Sequence, residues 1–392
     1  MAKPSVSLCM IAKNEERFLE ACLESAKGLV DEVVLVDTGS TDRTVEIAER
    51  FGARVLHAEW RDDFSAARNA ALDGASGEWI LHLDADEELV AEDVPLLRRL
   101  LSDSEASAFV LRILDPVSPQ AGQAIRLWRS APGVRYRGRV HEAPDLGDHA
   151  GEPGFVAHTG ARIIHKGYDP KLVDTEAKRK RNIELLRLDL AERPDDFRGL
   201  FHLAQELAAE PEPEDEVITL YQRAFELDLR RSMPIIPFQL GLALERAERF
   251  DESLALLGRA LQAYPRFADL ELLRGRALFE MGDYHGALRS FETAHRMGDA
   301  PPDLPGVPGA GGPLALMMAS WAEEALGNAA EAAALNGASV AAVRADPQLI
   351  RSLTWMERLD TPEEDVEKRI RAVADPNAPG MAETLEALFG RA

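Results

Sequence analysis

The chain has 392 residues, with 45 Lys and Arg against 68 Asp and Glu, and a net charge of −23. That length holds two or three domains and at least one sizeable core. The charge argues against nucleic acid or an anionic membrane surface as a partner, because both need a basic face. It leaves open a nucleotide carried on a metal ion, since the ion brings its own positive charge.

Cys9 and Cys22 are the two cysteines. They form neither a zinc pattern nor a disulfide framework, which points to a cytoplasmic setting. The first residues, MAKPSVSLCMIAKNEE, have too short an apolar run for a signal peptide. No stretch approaches the roughly 20 apolar residues of a membrane span, so no integral membrane segment is expected.

Residues 6–84 alternate between short apolar runs and amphipathic stretches. VSLCMIA, DEVVLVD, ARVLHA and EWILHLD are strand candidates; EERFLEACLESA, STDRTVEIAERFG and FSAARNAALDGA are helix candidates, the second capped by Ser40 or Thr41. Such alternation predicts a parallel sheet with helices on both faces. In such sheets ligands sit beyond the carboxyl ends of the strands. Three polar segments fall there: KNEE after the first strand, DTGSTD after the second and DADEE after the fourth.

From Asp103 to about Lys171 the pattern is β-rich, with SAFVLRIL, AIRLWRS, VRYRG, RVHEA and ARIIHKG as short strands. Beyond Lys171 it is nearly all helical. FQLGLALERAERFDESLALLGRALQAYP overlies LLRGRALFEMGDYHGALRSFETAHRMG, matching Gly241 to Gly275, Phe250 to Tyr284 and Ala260 to Ala294. The 34-residue period resembles the tetratricopeptide repeat, whose paired helices meet at small residues. Weaker copies flank it, the last after a Pro/Gly-rich break, GDAPPDLPGVPGAGGP, that reads as a mobile loop. The expected organisation is a catalytic domain over residues 1–170, a connecting helix over 171–193, repeats over 194–345 and capping helices over 346–392.

Asp84 and Asp86, one residue apart at a strand end, suit a hard divalent cation, though alone such a pair is also a common acidic turn. Asp37 ends a strand where Gly39 permits a tight turn, and can accept from a base or ribose; Arg68 and Asn69 offer donors from the nearby helix. Glu142 suits general-base work, and His165, at a strand end, is a fitting ligand for Mn²⁺.

The blocks SLCMIAKNEERFLEACLES, DEVVLVDTGSTDRTVEIAERFGARV, DDFSAARNAAL, GEWILHLDADE, YRGRVHE and IIHKGYD together resemble the family 2 inverting glycosyltransferases of the GT-A fold. They are most similar to the lipopolysaccharide-core glucosyltransferases and the bacteriocin S-glycosyltransferases. The resemblance covers Ser5 to Asn182, and the repeats are similar to those of tetratricopeptide-bearing members. It implies an α/β GT-A (Rossmann-like) domain followed by an all-α repeat domain. It implies Ala12, Glu15 and Ser40 in the nucleotide pocket, Asp37 on the base with help from Arg68, and Asp84 on the ribose or sugar. It further implies Asp86 and His165 as ligands of Mn²⁺ or Mg²⁺, and Glu142 as the base. The implied substrates are a nucleotide-sugar donor, in the first place a UDP-sugar, and a protein, peptide or glycan acceptor, with a protein partner held by the repeats. A binding scaffold with an inactive GT-A domain is the rival reading. A nucleotidyltransferase comes last, because MIAKNEERF is not a Gly-rich basic loop.

Overall fold

The computed structural model describes residues 3–114, 122–147, 152, 154–167, 175–209, 214–228, 233–300, 306–360 and 362–390. The expected boundary at 170/171 and residues 301–305 of the Pro/Gly-rich break lie outside them. The chain divides into two compact units, with the change at Pro194/Asp195.

The first unit is built on a sheet of eight strands among the described residues. In chain order its elements are β1 (Val6–Ala12), α1 (Leu19–Ala26), β2 (Glu32–Asp37), α2 (Thr44–Arg50), β3 (Arg54–His57), α3 (Phe64–Gly74), β4 (Trp79–His82), β5 (Glu87–Leu89), α4 (Val94–Asp103), β6 (Ala108–Leu114), β7 (Gly122–Arg129), β8 (Arg135–Arg137), β9 (Ala143–Asp145), β10 (Val156–His165) and α5 (Thr175–Glu192). The strand order is β3-β2-β1-β4-β7-β6-β10-β5, with β8 and β9 pairing separately.

The sheet is mixed rather than wholly parallel. β1, β2, β3 and β4 run parallel, as the alternating pattern predicts. β7 enters antiparallel between β4 and β6, and β10 runs parallel to β6. β1, β2, β4 and β10 therefore all point the same way, and their carboxyl ends share one edge.

Period-2 alternation divides the core between the two faces. Leu8 and Met10 join Leu35, Trp79 and Leu127 beneath α1, α2 and α4. Cys9 turns to the other face with Val34, Ile80, Trp128 and Tyr136, against Ala67 and Ala71 of α3. β1 is buried along almost its whole length because it lies between two strands and under both layers.

Local expectations fail in three places. The α2 helix begins at Thr44 with Arg43 as its N-cap residue, rather than at a Ser40 or Thr41 cap, and Asp42 just before it accepts from the Thr44 N–H at 2.9 Å. RVHEA is a turn leading into β9, with His141 at φ 53°, so the alternation of faces expected of a strand does not apply there. Asn69 does not face a ligand: its side chain exchanges two hydrogen bonds with the backbone of Tyr136 (2.9 and 3.1 Å) and ties α3 to β8.

The second unit contains α6 (Phe197–Leu207), α7 (Glu214–Leu227), α8 (Ile235–Arg246), α9 (Phe250–Ala263), α10 (Ala268–Glu280), α11 (Tyr284–Met297), α12 (Pro313–Ala325), α13 (Ala329–Val343), α14 (Pro347–Asp360), α15 (Glu363–Val373) and α16 (Met381–Phe389). Phe250 and Tyr284 each open the second helix of a pair, and Ala260 and Ala294 are fully buried. A Cβ on Gly241 would lie 2.6 Å from Leu273, and one on Gly275 would overlap the Phe291 ring. The matched glycines are thus where helices approach too closely for a side chain. No helix among the described residues is long and apolar enough to cross a membrane.

Candidate functional site

At the shared carboxyl edge the loops after β1 and β2 are stitched together. The backbone N–H groups of Asn14, Glu15 and Glu16 donate to Ser40 Oγ (3.0 Å), Thr44 Oγ1 (2.7 Å) and Asp42 Oδ2 (3.0 Å). Thr38 N donates to the Ala12 carbonyl at 3.0 Å. Gly39 takes φ 105°, which only glycine adopts readily, and lets the chain fold back over Asp37. Asp37 is buried and accepts from Gly39 N at 3.2 Å and Ser40 N at 3.1 Å, with His57 Nδ1 3.4 Å away. Burial alone would raise its carboxyl; donation from Ser40, Gly39 and His57 outweighs that and holds it below the ordinary value.

The turn after β4 separates two carboxylates that look alike in the sequence. Arg68, buried on α3, donates through Nη2 to Asp84 Oδ1 at 2.5 Å and through Nε to Glu142. Arg126 on β7 places Nη2 3.7 Å from Asp84 Oδ2. Burial would raise the Asp84 carboxyl, but Arg68 above all, with Arg126, holds it well below the usual range. Burial, Arg68 and Arg126 push the His82 imidazole far down, so it is neutral and accepts from Arg126 Nη1 at 2.8 Å. Arg68 was expected to assist Asp37; its guanidinium is instead engaged by Asp84 and Glu142.

Asp86 has other surroundings. Its Oδ1 lies 3.4 Å from His165 Nε2, and Lys166 N donates to its carbonyl at 2.9 Å. A Cβ on Gly167 would overlap the Asp86 carboxylate, so the glycine makes room for it against the end of β10. Burial would lower the His165 imidazole, and Asp86 more than offsets it. Burial and the charges of Asp86, Asp84 and Asp42, only partly relieved by Lys178, push half-buried Glu15 up to about 7. The crevice thus concentrates negative charge, which a cation would relieve.

Asp86 and His165 offer one oxygen and one nitrogen donor. Among the described residues no group of three or more His, Cys, Asp or Glu is arranged to hold a metal ion. Two protein ligands suit Mn²⁺ or Mg²⁺ whose other positions are filled by phosphate oxygens and water, and the residues present fit that mode.

The sequence reading missed Arg126, which holds the buried carboxylate of Glu87. Glu87 is 1% exposed, and its oxygens accept from Arg126 Nη2 (2.6 Å) and Asp84 N (2.9 Å), so it is closed to substrate. Burial, with Asp84 adding to it, pushes Glu87 up to about 7 despite Arg126. The visible sign was an arginine inside the apolar run AIRLW.

Residues 7–139 match the family model Glycosyl transferase family 2. A TPR repeat-containing protein of Synechococcus elongatus is 43% identical over 206 residues, 50% of this chain and 50% of that protein. The SPbeta prophage-derived glycosyltransferase SunS of Bacillus subtilis is 26% identical over 286 residues, 70% of this chain and 67% of its own length. The chain thus spans only about half the length of the first of these relatives. Among solved structures, a glucosyl-3-phosphoglycerate synthase from Mycobacterium tuberculosis, in complex with Mn²⁺, UDP and glucosyl-3-phosphoglycerate, is 28% identical over 29% of this chain and 44% of that one, with a TM-score of 0.24. Residues 7–139 are thus similar to glycosyltransferase family 2, and TPR-like helical pairs follow them in the chain.

Proposed function

We propose that the chain is a metal-dependent inverting glycosyltransferase that moves a sugar from a nucleotide-sugar donor, in the first place a UDP-sugar, to a protein, peptide or glycan acceptor. The observation that carries this reading is the different fate of the two carboxylates: Asp84 is neutralised by Arg68 and Arg126, while Asp86 faces His165 across a glycine-lined gap. The family match of residues 7–139 supports the reaction class.

In this reading Asp86 and His165 hold Mn²⁺ or Mg²⁺, which when bound supplies positive charge for the departing diphosphate. Ala12, Glu15, Ser40 and Asp37 form the nucleotide pocket, with Asp37 accepting from the base. Asp84, fixed between two guanidinium groups, faces the ribose or sugar. Glu142, oriented by Arg68, accepts the proton of the acceptor nucleophile as that atom bonds to the anomeric carbon and the bond to the diphosphate oxygen breaks. One in-line displacement inverts the configuration. The helical pairs of the second unit are assigned to a protein partner or a protein acceptor. Cys9 and Cys22 are unbridged and buried, which suits a reducing compartment, and we assign the reaction to the cytoplasm.

The test is calorimetry of UDP binding with and without Mn²⁺, on the wild type and on Asp86→Ala. Binding should require metal in the wild type and lose that requirement, with most of its affinity, in Asp86→Ala. UDP affinity indifferent to metal in the wild type would overturn the assignment.

A further inference from the structure

We propose that Arg126 is a positioning residue that fixes Asp86 by gripping both ends of the turn carrying it. The proposal rests on the metal-dependent reading above and concerns a side chain to which that mechanism gives no part of its own.

The turn runs Asp84-Ala85-Asp86-Glu87, and two reciprocal hydrogen bonds close it. Glu87 N donates to the Asp84 carbonyl at 3.0 Å, and Asp84 N donates to Glu87 Oε2 at 2.9 Å. The turn comes from β4, while Arg126 comes from the neighbouring antiparallel strand β7. One nitrogen, Nη2, lies 2.6 Å from Glu87 Oε1 and 3.7 Å from Asp84 Oδ2. The other, Nη1, lies 2.8 Å from His82 Nε2 on β4 itself. One guanidinium thus spans the strand end and both flanks of Asp86. Lysine, with a single ammonium, cannot reproduce that fork.

Asp84 and Glu87 are three positions apart; the Glu87 side chain is 1% exposed, while that of Asp84 keeps 32% of its surface open. Arg68 is shared between Asp84 and Glu142, so the charge set against Glu87 is that of Arg126. Without that guanidinium nothing from β7 ties Glu87, Asp84 and His82 together, and Asp86, between its two flanking residues, loses its fixed distance to His165. Groups that orient metal ligands in this way typically change metal affinity by roughly 10–100-fold.

The test uses the full chain with Mn²⁺ at a fixed, saturating UDP concentration, with free Mn²⁺ read by electron paramagnetic resonance against a protein-free blank. The variants are Arg126→Lys, Arg126→Met and the double variant Arg126→Met/Glu87→Met. Replacing both partners of a buried pair by apolar groups usually preserves folding, so the double variant tests the proposal even where Arg126→Met does not fold. The expected result is Mn²⁺ affinity at least about tenfold weaker in Arg126→Met and in the double variant, with Arg126→Lys in between. A purely structural role would lower the melting temperature but leave Mn²⁺ affinity in the folded variants at the wild-type value. That result, alongside normal binding by the wild type, overturns this proposal alone. Failure of the wild type to bind Mn²⁺ with UDP present overturns the metal-dependent reading and this proposal with it.

Discussion

Arg68→Met is the most exacting test of the charge network. Arg68 is 6% exposed and bridges two carboxylates, Asp84 at 2.5 Å and Glu142. Removing one member of a buried ion pair leaves the other charged and desolvated, at a cost of about 3–5 kcal/mol. Arg126 still faces Asp84, but only at 3.7 Å, so Glu142 is left the more exposed to this penalty. In a domain of this size each kcal/mol moves the melting temperature by about 2–4 °C. The first unit should therefore melt about 6–20 °C lower, against a total stability on the order of 5–15 kcal/mol. Scanning calorimetry of the full chain measures this. Adding Glu142→Gln to Arg68→Met removes one stranded charge and should restore part of the loss. A fall under about 2 °C, or a double variant no more stable than Arg68→Met, would show that the pairs contribute little and that the reasoning from burial is wrong.

Glu142→Gln in the wild-type background should slow sugar transfer by roughly 10²–10⁴-fold while leaving nucleotide affinity nearly unchanged, because a base acts in the transition state; near-normal transfer to a hydroxyl acceptor would remove it from the mechanism. Asp269, buried in α10 and accepting from Val307 N at 2.6 Å, is pushed by burial up to about 7 from 3.8. Its folded pKa is raised, so stability from this group is full below about pH 3.8 and is lost as the pH climbs to about 7. Asp269→Asn, which keeps the acceptor, should thus raise the melting temperature more at pH 8 than at pH 5; an equal effect at both would refute the shift. Gly275→Ala should cost about 1–3 kcal/mol by overlap with Phe291. Gly337→Ala, on α13 with open space around its Cβ position, should instead stabilise by up to about 1 kcal/mol, and urea melts of the two separate close helix approach from mere helix propensity.

The parallel half of the sheet was legible because its strands are continuous apolar runs and its helices carry a period near 3.6. The same signal placed KNEE, DTGSTD and DADEE at one edge, because β1, β2 and β4 must end there once they are parallel. The helical pairs were legible through Gly241 and Gly275, which mark contacts that recur every 34 residues. The antiparallel entry of β7 was not. A short apolar strand carries no mark of its direction, and its neighbour β4 lies far from it in sequence, with β5, α4 and β6 between.

The sequence by itself determined which residues stand at the strand ends, since chain order and period settle that locally. Spacing and charge do not distinguish Asp84 from Asp86, two aspartates separated by one alanine; in the sequence only the family resemblance gave them different roles. The physical difference between them comes from the tertiary structure alone, which brings Arg68 from α3 and Arg126 from β7 to the first, and His165 with Gly167 from the end of β10 to the second. The physical reason is that a carboxylate's role is set by the charges within a few ångströms of it, and here those charges come from parts of the chain that only folding brings together.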